Sequence, residues 1–422
     1  MRYIDFQGKK LSQLGYGAMR LPTLGKDSEI DVAEAERIID RAIEAGINYF
    51  DTAYPYHAGK SEVVVGKILS KYPRESYYLA TKYPGHQILP DYNPAPIFEE
   101  QLKKCGVEYF DFYLLHNVTE TSISVYLDEK YGIVDYFLEQ KRLGRIKHLG
   151  FSTHGAPENL KEFLEAKGEH MEFCQIQLNY LDWTLQRAEE KCRLLEEWNI
   201  PVWVMEPVRG GRLVGKLPDA AKQKLTSLRP DESIASWCFR WLLGLNNMGV
   251  ILSGMTTMEQ LEDNIKTFST EKPLTEDEIS ALYEIAEGLK SSVPCTGCGY
   301  CLKGCPMELN IPMLLEVYND LAYAPGVNTA SKIEFLPENK QPTACIACAR
   351  CVKSCPQGID IPGKLIELSR ILKDVPSWRK ICEERAAAAA KMAQNKQQSA
   401  QNANQTLHFM SKMIIHNLLL TF

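Results

Sequence analysis

Across roughly the first 270 residues, short runs of β-branched and aromatic residues alternate with stretches in which apolar residues recur every three or four positions. The runs INYFDT, YYLATK, YFDFYLLH, IKHLGFS, EFCQIQ, PVWVME and GVILSG predict buried strands. Segments such as VAEAERIIDRAIEAG and TLQRAEEKCRLLEEW predict helices with a charged outer face. The leading RYIDFQGKKLSQLGYG reads as a hairpin turning at Gly8, followed by one more strand. Strands that alternate with helices need crossover connections and therefore a parallel sheet, and eight such units in this length predict a (β/α)8 TIM barrel over residues 1–272. An open doubly wound sheet is the alternative, disfavoured because no G-x-G-x-x-G follows the first strand.

Beyond the barrel the pattern changes three times. LTEDEISALYEIAEGLKSSVP predicts a helical linker over 273–294, with Glu276, Asp277 and Glu278 in its first turn, where the helix dipole favours negative charge. Residues 295–385 hold two cysteine runs, CTGCGYCLKGCP and CIACARCVKSCP, each continued by an Ile-Pro step and an apolar helical segment (Met313 to Leu321, Gly363 to Leu372). The two halves correspond at an offset of 50 residues. Residues 386–422 contain no acidic side chain and many Ala, Gln and Asn, the composition of a flexible tail; its last ten residues, MIIHNLLLTF, are too few to cross a bilayer.

Eight of the 13 cysteines lie in the two runs, and Cys105, Cys174, Cys192, Cys238 and Cys382 are scattered singly, as small buried hydrophobes are. Each run reads C-x2-C-x2-C-x3-C-P, the bacterial 4Fe-4S ligand spacing, in which the fourth cysteine ligates the other cluster. The expected sets are Cys295, Cys298, Cys301 and Cys355 on one cluster, and Cys345, Cys348, Cys351 and Cys305 on the other. Two zinc ions are the alternative, but zinc knuckles have no use for the third closely spaced cysteine. The chain is thus expected to be a barrel followed by a small, mainly helical two-cluster domain. Its longer spacing between runs resembles the helical ferredoxin-type modules of multi-centre redox enzymes.

With 422 residues, a net charge of −6 and no concentrated basic stretch, the sequence argues against a nucleic-acid partner. No run approaches the roughly 20 apolar residues of a membrane span, and no signal-like segment opens the chain. A cytoplasmic setting with thiolate ligands, not disulfides, is the expectation.

In a barrel of this kind, reactive groups sit at the C-terminal ends of strands. Asp51, Lys82 and His116 end three successive predicted strands, and Tyr56 falls in the loop after Asp51. DTAYPYHAGKSE from Asp51, ATK from Ala80 and YLLH from Tyr113, together with LGYGAMRL, LGFSTH, QIQLNY and GMTTMEQLEDN, resemble the aldo/keto reductase family over roughly residues 1–270. With the cysteine repeat, the whole chain is similar to aldo/keto reductase homologues that carry a C-terminal ferredoxin-type domain.

The resemblance implies a small carbonyl or alcohol substrate and names roles. Tyr56 would be the general acid, Lys82 would lower its pKa, Asp51 would hold Lys82, and His116 would orient the carbonyl. Ser152 and Gln175 would bind the nicotinamide carboxamide, Gly210 and Gly211 would lie along the pyrophosphate, and Gly254, Gln260 and Asn264 would face the adenosine end. Met205 or Glu206 stands where many members place a stacking aromatic residue. The loop at Gly254 and Gln260 lacks the base that holds a 2′-phosphate, which leans towards NAD(H) within NAD(P)(H). Because hydride transfer moves two electrons and a cluster one, a flavin is a further candidate cofactor, and a ferredoxin or partner subunit a candidate electron partner. A redox-sensing protein without efficient carbonyl turnover is the alternative function. The aromatics Tyr54, Tyr92 and Trp183, and the cations Arg20 and Lys60, are candidates for the substrate pocket.

Overall fold

The computed structural model describes residues 1–388 apart from 27, 88, 90, 290–292, 294, 296–298, 300, 303, 324, 356 and 357. The chain divides at Val375 into two units. Of the second, the described part is a helix over residues 378–388; most of the tail expected over 386–422 lies outside the described residues.

The chain opens with the hairpin that the sequence predicts. Strands β1 (Tyr3–Phe6) and β2 (Lys9–Ser12) pair antiparallel around Gln7 and Gly8, both with positive φ, the geometry a two-residue turn between twisted strands requires. Eight parallel strands then close a barrel: β3 (Leu14–Gly17), β4 (Tyr49–Asp51), β5 (Tyr78–Tyr83), β6 (Phe110–Leu115), β7 (Ile146–Thr153), β8 (Cys174–Gln177), β9 (Val202–Met205) and β10 (Met248–Ser253), with β10 pairing back onto β3. Each predicted strand is present, with ends that differ from the expected ones by up to two residues. The hairpin tucks Phe6 and Leu11 against Tyr49, Phe112, Phe173 and Trp203, so that packed rings close one end of the barrel.

The helices bury the stripes their periodicity marks. In Val32–Glu44, Ala35, Ile38, Ile39 and Ala42 are buried at three- and four-residue intervals, and Asp31 caps the start by accepting from Glu34 N at 3.1 Å. The single helix expected over TLQRAEEKCRLLEEW is instead two, Asp182–Leu185 and Ala188–Glu197. Arg187 between them adopts φ 52°, where its guanidinium pairs with both Glu158 and Glu190. Helix Glu276–Leu289 buries Leu282, Ile285, Ala286 and Leu289 in the barrel's outer core, and Arg229 clasps Glu278 at 2.6 Å.

The cysteine region has its own core. Helices Ile311–Tyr323 and Ile361–Lys373 pack together, each with proline at its second residue, where the missing N–H is not needed. Leu314, Leu315, Leu321, Leu365 and Leu368 form this core with Cys301 and Cys351.

Candidate active site and cysteine pocket

Three adjacent strands and their loops bring together the four residues that the sequence singles out for proton transfer. Asp51 ends β4 and is paired in register with Ala80 on β5, which places Lys82 two residues further along the same rim. The chain leaves Asp51 through Thr52 into a tight turn over Tyr56–Gly59, wound by left-handed residues at His57, Ala58 and Gly59. Lys82 is fully buried, and its ammonium donates to Asp51 Oδ1 at 2.5 Å, Thr52 O at 2.8 Å and the Tyr56 hydroxyl at 3.4 Å. His116 follows β6; its ring meets that of Tyr56 edge-on at 5.9 Å and that of His86 at 4.3 Å. Tyr126 fixes the His116 backbone by donating to its carbonyl at 2.6 Å.

The electrostatics depart from one expectation. Lys82 was expected to lower the Tyr56 pKa, yet burial, reinforced by the Asp51 and Glu206 carboxylates, pushes the Tyr56 hydroxyl well above its ordinary value. Burial lowers the Lys82 ammonium and raises the Asp51 carboxyl, while their contact opposes both shifts.

The residues expected to hold a dinucleotide lie along the same rim. Ser152, near the end of β7, accepts from Asn117 N at 2.9 Å. Gln175 on β8 is buried, and its Oε1 has no partner among the described residues, so a ligand N–H would satisfy an acceptor that is otherwise costly to bury. After β9 the chain passes through Glu206, Arg209, Gly210 and Gly211, all with positive φ. Met205 ends β9 and Glu206 follows it, the two candidates for the position of the stacking ring; burial raises the Glu206 carboxyl pKa. Gly254 leaves room for Arg20: a Cβ there would stand 2.6 Å from Arg20 Cγ. The Arg20 guanidinium continues towards Gly210, reaching 3.2 Å from where that residue's Cβ would be. In the loop after β10, Gln260 accepts from Thr256 N at 2.8 Å and Asn264 donates to Ser253 Oγ at 2.9 Å.

The other candidates for the substrate pocket have local partners. Tyr54 donates to Glu100 at 3.0 Å, Lys60 to Ser28 O at 2.7 Å, Tyr92 packs on Tyr131, and Trp183 on Trp241. Asp182, Arg209 and Asp320, which the sequence reading did not single out, form a buried charged group beside this rim. Asp320 had a signal: it sits three residues from buried Val317 and next to buried Leu321, on the apolar stripe of its helix, where a carboxylate needs a partner.

In the cysteine region, Cys305 from the first run lines one pocket with Cys345, Cys348 and Cys351 from the second, floored by Met307 and Ile311. Cys301 is buried, and Cys295 and Cys355 pack at the edge of the same core. Cys298 lies outside the described residues. Among the described residues, no three cysteine, histidine or acidic side chains gather as tightly as a single metal ion requires.

Comparison with known proteins agrees with both parts. Residues 13–287 match the Aldo/keto reductase family, and residues 294–359 match a 4Fe-4S dicluster domain. An uncharacterized oxidoreductase of Bacillus subtilis, YqkF, is 30% identical over 64% of this chain and 92% of its own length. The NADH-specific methylglyoxal reductase of Escherichia coli is 26% identical over 66% of this chain and 96% of its own. The aldo-keto reductase AKR11C1 of Bacillus halodurans superposes with a TM-score of 0.56 at 27% identity, covering 67% of this chain and 95% of that one. With its closed parallel barrel and its cysteine-rich extension, the chain belongs to the aldo/keto reductase family and is an oxidoreductase of that type joined to a ferredoxin-type 4Fe-4S domain.

Proposed function

We propose that the barrel interconverts a small carbonyl compound and its alcohol, with Tyr56 as the proton donor, and that two [4Fe-4S] clusters on the eight clustered cysteines link this reaction to one-electron transfer. The observation that carries the first half is the fully buried Lys82, which touches both Asp51 and the Tyr56 hydroxyl. The buried setting makes the Tyr56 hydroxyl a weaker acid than free tyrosine, so release of its proton depends on stabilising the oxygen left behind. As that proton moves to a carbonyl oxygen, negative charge grows on the Tyr56 oxygen, and the Lys82 ammonium, held by Asp51, is in place to stabilise it. His116, edge-on to the Tyr56 ring, lies where it can orient the carbonyl.

A bound nicotinamide supplies the hydride. The unsatisfied Gln175 Oε1 and Ser152 suit its carboxamide, and Arg20, between Gly210 and Gly254, suits the phosphates. NAD(H) fits better than NADP(H), since Gly254 and Gln260 carry no charge and Gln260 is tied back to Thr256 N. The E. coli relative's name points to the same cofactor and to a small aldehyde.

The pocket shared by Cys305, Cys345, Cys348 and Cys351 supports the crossed ligand set of a two-cluster ferredoxin. Two clusters together hold the two electrons of one hydride. A flavin is the carrier that would divide them, and acid release of a chromophore from anaerobically purified protein tests for it. A ferredoxin or a partner subunit would exchange electrons with the clusters. Among the described residues no helix is long and apolar enough to cross a membrane. The deciding experiment is Tyr56→Phe in the full chain: NADH-dependent reduction of small aldehydes should fall about 10²–10⁴-fold. Unchanged turnover would reject Tyr56 as the acid.

A further inference from the structure

The contact that joins the barrel to the cysteine region is charged and buried, and the proton and hydride chemistry does not call for it. Asp320 lies on helix Ile311–Tyr323, whose leucines share a core with Cys301 and Cys351. One of its carboxylate oxygens accepts from Arg209 Nη2 on the barrel. The other accepts from Gln186 Nε2 at 3.1 Å and from Thr329 Oγ1 at 2.5 Å. On its far side Arg209 meets Asp182, with Nε 3.4 Å from the carboxylate. Asp182 is itself held by Gln177 at 2.8 Å and by Asn179 at 2.6 Å, and Asn179 also donates to Glu206 O at 3.1 Å. A second tie runs from Arg212 Nη2 to Pro325 O at 3.0 Å.

Arg209 belongs to the segment 206–212, which follows an unfavourable path. Glu206 and Arg209 have φ of 56° and 50°, a region where side-chain-bearing residues are strained, and Gly210 and Gly211 continue it at 61° and 85°. Such a path persists only where contacts outside the segment fix it. Among such contacts here are Asp182 on one side of Arg209 and Asp320 across the junction. With two carboxylates against one guanidinium, Arg209 is also held back from swinging towards another anion.

We infer that Asp320 is a positioning residue for the dinucleotide site: by holding Arg209 it sets the course of residues 206–212, so the cysteine region acts as a wall of the barrel's cofactor site. This rests on the reading that a nicotinamide dinucleotide lies along Gly210 and Gly211. Asp320 acts through Arg209 and does not itself meet the ligand. A change in the cysteine region that shifts helix Ile311–Tyr323 is thereby felt as a change in dinucleotide affinity.

The test uses the full chain, purified anaerobically, with NADH binding followed by fluorescence titration and the iron content measured alongside. Asp320→Asn should weaken NADH binding about tenfold and raise its KM in parallel, with the maximal rate at saturating NADH kept within about twofold. Asp320→Glu should recover most of the affinity. Gln186→Ala removes a donor to the Asp320 carboxylate, and should weaken binding in the same direction but by less than Asp320→Asn. Should Asp320→Asn prove too unstable, Thr329→Val, which loosens the same carboxylate, should weaken binding in the same direction. If Asp320→Asn binds NADH as the unaltered chain does, or if it lowers the maximal rate while leaving the KM for NADH unchanged, the inference is overturned. If the unaltered chain binds no dinucleotide, the reading beneath it fails as well.

Discussion

Replacing Lys82 by Met separates what the buried pair does for folding from what it does for chemistry. Lys82 is fully enclosed, and Asp51 is 2% exposed with its Oδ2 already lacking a partner among the described residues. Lys82→Met therefore strands a carboxylate that burial already pushes towards protonation. Breaking a buried ion pair from one side costs about 3–5 kcal/mol, which for a domain of this size lowers Tm by roughly 6–10 °C. The double variant Asp51→Asn/Lys82→Met removes both charges and should regain most of that loss, to within about 1–2 kcal/mol of the unaltered chain. Activity should not follow. Both variants lack the cation beside Tyr56, so carbonyl reduction should stay down by about 10²–10⁴-fold in each. Thermal unfolding by circular dichroism and steady-state NADH oxidation give the two readouts. A double variant as unstable as the single one would refute the stranded charge as the cause, and a double variant that regains activity would refute the role of Lys82 in the reaction.

Three more outcomes follow from other parts of the molecule. Gln175→Leu removes the unsatisfied Oε1 and should raise the KM for NADH about fivefold or more while slightly stabilising the apo protein, as read by kinetics and by unfolding without cofactor. Cys305→Ala should lower iron from about eight to about four per chain, whereas Cys238→Ala, at a buried thiol outside the two runs, should leave it unchanged. Lys191 is 2% exposed, and burial together with the Lys332 charge lowers its pKa to about 8. A lysine depressed in the folded state costs stability while it is charged in both states, and that cost fades as pH rises from about 8 towards the ordinary value of 10.5. Lys191→Met should therefore stabilise the chain at pH 7 by ~1–3 kcal/mol, with the gain shrinking above pH 8; denaturant titration at several pH values checks it.

The parts of this molecule that were legible from sequence are those set by local pattern. The strand ends at Asp51, Lys82 and His116 follow from β-branched runs that stop at a polar residue, and the hairpin from the Gln7-Gly8 turn. The break at Arg187 was not legible, because the periodicity of TLQRAEEKCRLLEEW continues through it; at its φ of 52° Arg187 pairs with Glu158, a contact between separate elements. The raised Tyr56 pKa was hidden for a similar reason. A Lys-Tyr contact suggests a lowered value, but the net direction is set by burial and by the carboxylates of Asp51 and Glu206, the latter arriving from another strand. The hydrogen bonds that hold Gln260 and Asn264 to the loop after β10 were not legible either, since they depend on how that loop folds back. The Arg209–Asp320 junction joins residues far apart in the chain, and its only local trace is a carboxylate on an apolar helix stripe.

The link between barrel and clusters is tested most directly by reducing the clusters of the anaerobic full chain, removing the reductant, and adding a small aldehyde with a trace of NAD. The account predicts that the cluster absorbance returns to its oxidised form as alcohol appears, one alcohol for every two electrons, and that Tyr56→Phe abolishes the return. Clusters that stay reduced while the same protein turns over aldehyde with NADH would contradict it.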